Sequence, residues 1–142
     1  MDSWRYTPKT EKQLRNWYNS KVKKGKIDFV DFQELLQWYQ REKVCYYCGI
    51  REETVQELVH KGIITSIRFP QNGKMKRGKC RGYHLEIERK HPGNLYSSEN
   101  CELSCYFCNN DKSDIFTASE YISFFQDRAN YLVNLLKAND TN

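Results

Sequence analysis

Apolar and aromatic residues recur at Leu14, Trp17, Tyr18 and Val22 between Thr10 and Gly25, a spacing that predicts a helix over Thr10–Lys24 with Thr10 as its cap. Phe29, Phe32, Leu35, Leu36 and Tyr39 form a second stripe behind Asp28, which reads as the cap of the next helix, and a stripe at this spacing is core. A tight Cys45-Tyr46-Tyr47-Cys48-Gly49 knuckle follows, then a short helical pattern over Glu52–His60 (Val55, Leu58) stopped by Gly62. Ile63–Phe69 is rich in β-formers and predicts a strand, Pro70–Lys79 a Gly- and Lys-rich loop, and the alternation of Tyr83–Glu88 another strand. Pro92–Ser98 is turn-rich, and helical patterns resume over Cys105–Ile115 and Ser119–Lys137. No repeat of 20–50 residues is present; two C-x-x-C pairs are the sole internal echo.

A length of 142 residues fits one domain with a modest core, and 39% hydrophobic content makes that core thin. No apolar run is long enough to span a membrane, and the first ten residues contain no apolar segment of the kind an export signal carries, so a cytoplasmic protein is expected. In a reducing compartment six Cys are metal ligands or buried thiols rather than a disulfide framework. The net charge of +5 is unevenly laid out: residues 1–26 carry eight Lys/Arg against two acids, and residues 61–90 carry nine against two. Two basic blocks suggest a polyanionic partner, although solvated Lys-rich stretches have the same composition.

The Cys pairs change the picture most. Cys45-x-x-Cys48 and Cys105-x-x-Cys108 each present two thiolates from one turn, and together they complete a closed four-sulfur zinc site with no open position for substrate. A redox role for either pair would need a thioredoxin-like βαβ context, which is absent. The metal is expected to be structural, stapling the front of the domain to its back and supplying folding free energy that the small core lacks. Cys80 and Cys101 have no partner at C-x-x-C spacing and read as free buried thiols.

Between the knuckles, Glu88-Arg89-Lys90-His91 ends a strand, Asn100 precedes the second knuckle, Asn109 follows Cys108 directly, and Lys112 lies a helical turn further on. In order and spacing these elements resemble the ββα-metal domain of the HNH endonucleases. The resemblance extends over about residues 24–120 to the PacI-like restriction endonucleases, in which Arg replaces the base His after the acid. It is carried by Cys45–Ile50, Arg81–His84, Glu88-Arg89, Tyr96–Asn100, Cys105–Asn109 and Lys112–Glu120. Two departures stand out: the first 40 residues contain no Cys, so a second zinc motif is missing there, and the acid is Glu88 where Asp is commoner.

This resemblance implies an α+β fold: a small ββα-metal core stapled by the four-cysteine zinc site and flanked by N- and C-terminal helices. Residues 1–44 would form a helical, basic DNA-contacting region, residues 45–116 the zinc-bound catalytic domain, and residues 117–142 the C-terminal helix. It implies hydrolysis of DNA phosphodiesters, with Glu88 and Asn109 holding a catalytic divalent ion (magnesium or manganese), Arg89 on the scissile phosphate and Asn100 clamping the intervening loop. A sparse pair of oxygen ligands suits magnesium, which keeps waters and takes phosphate oxygens. Arg89 cannot be the general base because it does not deprotonate near neutral pH. Tyr47 and His91 are the candidates, Tyr47 requiring a pKa lowered by nearby positive charge; His84 lies four residues from Glu88, about 13 Å at strand rise. Lys26, Lys76, Arg77, Lys79 and Arg81 would track the DNA backbone, and Lys112 would reach a phosphate or simply solvate its helix. Double-stranded DNA is the expected partner, in a homodimer of bacterial or phage origin, with no membrane partner and no organic cofactor. The alternatives are a zinc-stapled nucleic-acid-binding module without catalysis and a zinc-stapled interaction protein that binds no nucleic acid.

Overall fold

The computed structural model describes residues 4–71, 74–124 and 128–140. Helix α1 (Glu11–Lys23) opens on a capping box: Gln13 N–H donates to Thr10 Oγ1 (3.1 Å) and Thr10 N–H to Gln13 Oε1 (2.8 Å). Helix α2 (Phe32–Tyr39) is capped by Asp31, whose Oδ1 accepts from Glu34 N–H at 3.0 Å. Asp28, the expected cap, instead donates its N–H to the Tyr96 carbonyl (2.7 Å), which ties the segment before α2 to the turn beside the site. Helix α3 (Glu52–His60) has the predicted bounds.

The strand expected over Ile63–Phe69 does not form. Ile63 and Ile64 both donate N–H to Leu58 O, wrapping the chain back over the end of α3, and Phe69 closes a turn on Ser66. The β-branched residues there serve packing, not a ladder: Ile64 packs against a small buried cluster of Val59, Phe69 and Tyr83. Strand β1 (Glu86–Arg89) begins later than the alternation from Tyr83 suggests. It pairs antiparallel with β2 (Cys101–Ser104), a strand the sequence pattern does not reveal, in the register Glu86↔Ser104, Ile87↔Leu103, Glu88↔Glu102 and Arg89↔Cys101. Helix α4 (Tyr106–Lys112) follows at once and packs on β1, completing a strand–strand–helix unit. Over the predicted final helix the described residues form α5 (Ala118–Phe124) and α6 (Arg128–Asp140), the latter against α3; residues 125–127 of that span lie outside the described residues, as do residues 72–73 of the predicted Lys-rich loop.

One buried cluster joins Leu14, Phe32 and Leu35 from the N-terminal helices to Leu85, Ile87 and Leu103 around the sheet and to Tyr121 and Leu132 behind it. The sheet and α4 therefore rest on packing from every part of the chain, and the cysteines sit inside that packing. None of the described helices is long and apolar enough to cross a membrane.

Candidate active site

The two knuckles meet. In the first, Cys45 N–H donates to Ile50 O (2.8 Å), Gly49 N–H returns to Cys45 O (3.0 Å), and Gly49 takes the positive φ (81°) that this reversal needs. Tyr46 N–H donates to Leu103 O (2.8 Å), fastening the knuckle to β2. In the second, Cys105 caps α4 with its sulfur accepting from Cys108 N–H (3.4 Å). The four Sγ atoms of Cys45, Cys48, Cys105 and Cys108 all lie within 4.8 Å of one another, with Cys48 and Cys105 3.9 Å apart. A tetrahedral zinc at about 2.3 Å from each sulfur would space them about 3.8 Å apart, so the donor set and its size fit that ion. Such crowding sets the thiols against each other. Hydrogen bonds from neighbouring thiols hold Cys45 below its ordinary pKa, while hydrogen bonding to Cys108 and Cys45, with burial, holds Cys105 well above its own. A divalent cation removes the conflict by letting all four ionise. Cys101 is buried and burial pushes its thiol up to about 12, whereas Cys80, expected to be buried, is exposed on the basic loop.

A cleft of about 160 Å³ opens beside the staple, lined by Glu88, Arg89, Tyr96, Asn109, Lys112 and Asp114 among others. It brings together the strand-end acid, its Arg and the helix Asn. Glu88 is only 4% exposed. Its Oε2 accepts from the Tyr47 hydroxyl at 2.5 Å, and Oε1 lies 2.5 Å from Lys112 Nζ in an ion pair. Burial pushes the Glu88 carboxyl up, and Lys112 and Tyr47 oppose that shift. Tyr47 thus reaches the acid from inside the first knuckle. Burial and then Glu88 raise its pKa, the reverse of what a base needs, so only added positive charge would bring it down.

Lys112 overturns an expectation. It is 1% exposed, paired with Glu88, and donates to Arg89 O (3.0 Å), so it is neither a solvating residue nor a phosphate contact on the surface. Arg89 donates to Asn94 O (3.2 Å) and its guanidinium lies over the Tyr96 ring (4.8 Å) at the cleft edge. Asn100 is a clamp in geometry: Oδ1 accepts from His91 N–H (3.0 Å) while Nδ2 donates to His91 O (3.1 Å) and Leu95 O (3.0 Å). His91 itself is exposed in that turn, its Nδ1 accepting from Gly93 N–H (3.2 Å), and it is absent from the cleft lining. His84 is buried away from the cleft, with Nε2 on Thr7 O (2.8 Å).

Of the expected DNA-tracking residues, Lys26 lies close to the cleft, its carbonyl accepting from Tyr96 N–H (2.9 Å). Neighbouring Lys21 holds its ammonium 5.2 Å from the Tyr96 ring centre; burial, with repulsion from Lys24, Lys26 and Arg89, lowers its pKa. The basic end of α1 thus converges on Arg89. Lys76 and Arg77 are exposed and Lys79 half-buried, on a tight hairpin (Lys79 N–H to Lys76 O, 2.8 Å). Arg81 departs from this group. Its guanidinium grips the Glu86 carboxylate at 2.9 and 2.7 Å and lies over the Tyr106 ring (4.6 Å). Glu86 in turn accepts from Asn109 Nδ2 (2.8 Å). Sequence reasoning missed Glu86, although Glu86-Ile87-Glu88 has the two-residue period that sets two acids on one strand face.

The strand–strand–helix unit, its four-sulfur staple and the acid–Arg strand end facing a helix Asn form an HNH-like α+β fold. No family model matches the chain, and comparison with curated proteins gave no match. Among solved structures the chain is similar to the rare-cutting HNH restriction endonuclease PacI, a protein described for its mechanism of DNA perturbation. Identity is 25% and the TM-score 0.61, over 87% of this chain and 79% of that one.

Proposed function

We propose that the protein is a metal-dependent DNA endonuclease of the HNH type, a sequence-specific restriction or mobile-element enzyme. The observation that carries this reading is the cleft in which Glu88 and Arg89 at the end of β1 face Asn109 on α4. A carboxylate in the cleft wall, a neutral amide oxygen and a small polar cleft fit magnesium or manganese, which keeps waters and phosphate oxygens as further ligands. Such an ion, when bound, supplies charge to the leaving oxygen and lowers the pKa of a bound water. Glu88 and Asn109 would hold it. Arg89, anchored by Tyr96 and Asn94, has guanidinium donors left to take a phosphate oxygen. Asn100 would keep the loop beneath Arg89 in place. Tyr47 is the better candidate base, since its hydroxyl touches Glu88 while His91 faces solvent. Lys26, Lys76, Arg77 and Lys79 would hold the DNA backbone, and a two-fold dimer would match a symmetric site.

The Lys112–Glu88 pair favours a second reading, because a carboxylate already neutralised in the protein interior is what a non-cleaving DNA-binding module would keep. Plasmid cleavage separates the two. The wild type should nick or linearise DNA with magnesium and stop with EDTA, and Glu88→Ala should be inactive. Salt-sensitive DNA binding without cleavage on diverse plasmids would select the binding module, and equal nicking by Glu88→Ala would reject the site.

A further inference from the structure

Strand β1 and helix α4 are zipped by two side-chain pairs. Glu86 and Glu88 stand two residues apart on β1, and Asn109 and Lys112 stand three apart on one face of α4; Glu86 meets Asn109 and Glu88 meets Lys112. The second pair is an ion pair. The first is not, and its chemistry fixes a direction. A carboxylate oxygen can only accept, so the amide atom 2.8 Å from Glu86 Oε1 must be Asn109 Nδ2, and the amide oxygen is turned away from Glu86. No hydrogen bond to Asn109 Oδ1 is formed among the described residues, and Asn109 lines the cleft. Glu86 does not rest on Asn109 alone. Arg81 holds its carboxylate with two parallel donors, and the Tyr106 ring backs Arg81.

We infer that Glu86, held by Arg81, is a positioning residue that orients the Asn109 amide so that its oxygen is presented to a divalent cation. This rests on the proposal that Asn109 is a metal ligand. Without Glu86 the amide has no reason to prefer oxygen-inward over nitrogen-inward, and the inward NH2 would repel a cation. Partners that orient metal ligands typically govern affinity about tenfold to a hundredfold. The inference also reassigns Arg81 from the DNA-tracking surface to support of the site.

Manganese binding to zinc-loaded protein, followed by loss of the free-ion paramagnetic resonance signal, tests this apart from cleavage. Glu86→Leu should weaken manganese binding roughly tenfold or more. Glu86→Gln, whose amide can accept from or donate to Asn109, should lose less. In an Asn109→Asp background, where either carboxylate oxygen serves, Glu86→Leu should cost no affinity. Zinc content and thermal midpoint identify any variant that has merely unfolded, and Glu86→Gln then carries the comparison. Loss of binding by Asn109→Ala with no effect of either Glu86 variant would overturn the inference and leave the metal site standing. Equal losses from Glu86→Leu in the wild-type and Asn109→Asp backgrounds would also overturn it. No manganese binding by the wild type, or none lost in Asn109→Ala, would sink both the site and the inference.

Discussion

Lys112→Met is the most exposing test of the cleft, because it removes one partner of a buried ion pair and little else. In the wild type Nζ sits 2.5 Å from Glu88 Oε1, and the two side chains are 1% and 4% exposed. At an effective dielectric near 20 that contact is worth roughly 6–7 kcal/mol of Coulomb energy, a gross figure offset by desolvation of both groups. The substitution leaves Glu88 with the Tyr47 hydroxyl alone, and the carboxylate can escape by taking a proton. Protonating a group whose free pKa is about 4.3 costs about 4 kcal/mol at pH 7, which caps this part of the penalty. Loss of the hydrogen bond to Arg89 O adds about 1 kcal/mol. The expected deficit at pH 7 is therefore about 3–5 kcal/mol, within the range for broken buried pairs. It should also shrink on acidification. The stranded acid has a folded pKa raised above its unfolded one, so the folded state holds the proton and gains relative to the unfolded chain as pH falls. The deficit should drop by about 1.4 kcal/mol per pH unit from 7 towards 5. Urea denaturation of the zinc-loaded wild type and variant across that range gives the difference, and acid effects on the cysteines cancel in it. Adding Glu88→Gln should recover most of the loss. A deficit under about 1 kcal/mol, or one independent of pH, would refute the argument from burial and pairing.

Other outcomes follow from separate parts of the molecule. Purified protein should contain about one zinc per chain, and Cys108→Ser or prolonged chelation should cost cooperative unfolding, read by metal analysis with circular dichroism. Burial holds His84 below its ordinary pKa of 6.5 as it bonds Thr7 O. The unfolded chain therefore takes up that proton first; stability present above about pH 6.5 is lost as pH falls through the folded value, and His84→Gln should show a shallower loss in thermal scans between pH 7 and 5. Gly82 has a φ of +80°, and a Cβ there would lie 2.5 Å from the Phe69 ring, so Gly82→Ala should cost about 2–4 kcal/mol by denaturant titration. Replacing Arg77 by Ala should weaken DNA binding about equally across sequences and reduce the log–log salt slope by about one, measured by anisotropy at several ionic strengths.

Much of the frame is legible in the sequence because it rests on short-range chemistry. The C-x-x-C spacing predicts a four-sulfur cluster because a turn of that length can hardly place its thiols otherwise, and Thr10, Gly25 and Gly62 mark helix ends by backbone rules. What the sequence hides depends on partners distant in the chain. Cys101–Ser104 is four residues long and half polar, and it becomes a strand only because Glu86–Arg89 lies beside it. Ile63–Phe69 has strand composition, but its amides turn back on Leu58 and Ser66 instead of entering a ladder. Lys112 and Arg81 read as surface charges, the usual fate of their residue types, until the fold supplies a buried or half-buried acid to each. Asp28 and Asp31 are equivalent as caps in one dimension, and the Tyr96 carbonyl decides between them by taking the Asp28 N–H.

The cysteine cluster and the cleft are a single piece of construction. Each knuckle carries one side chain that serves the cleft: Tyr47, between Cys45 and Cys48, holds Glu88 through its hydroxyl, and Asn109, after Cys108, lines the cleft. The sulfurs fix where α4 begins, since Cys105 is its cap, and that sets Asn109 and Lys112 on the face towards β1. The other end of the contact is fixed by the sheet, where Tyr46 N–H on Leu103 O binds the first knuckle to β2 while β2 holds β1 in register. A metal held by four sulfurs has no coordination site left for a substrate, yet its loss would release both knuckles. Tyr47 would part from Glu88, and Asn109 from Glu86. Metal removal should therefore abolish manganese binding in the cleft even where helical content survives, although no cysteine lines that cleft.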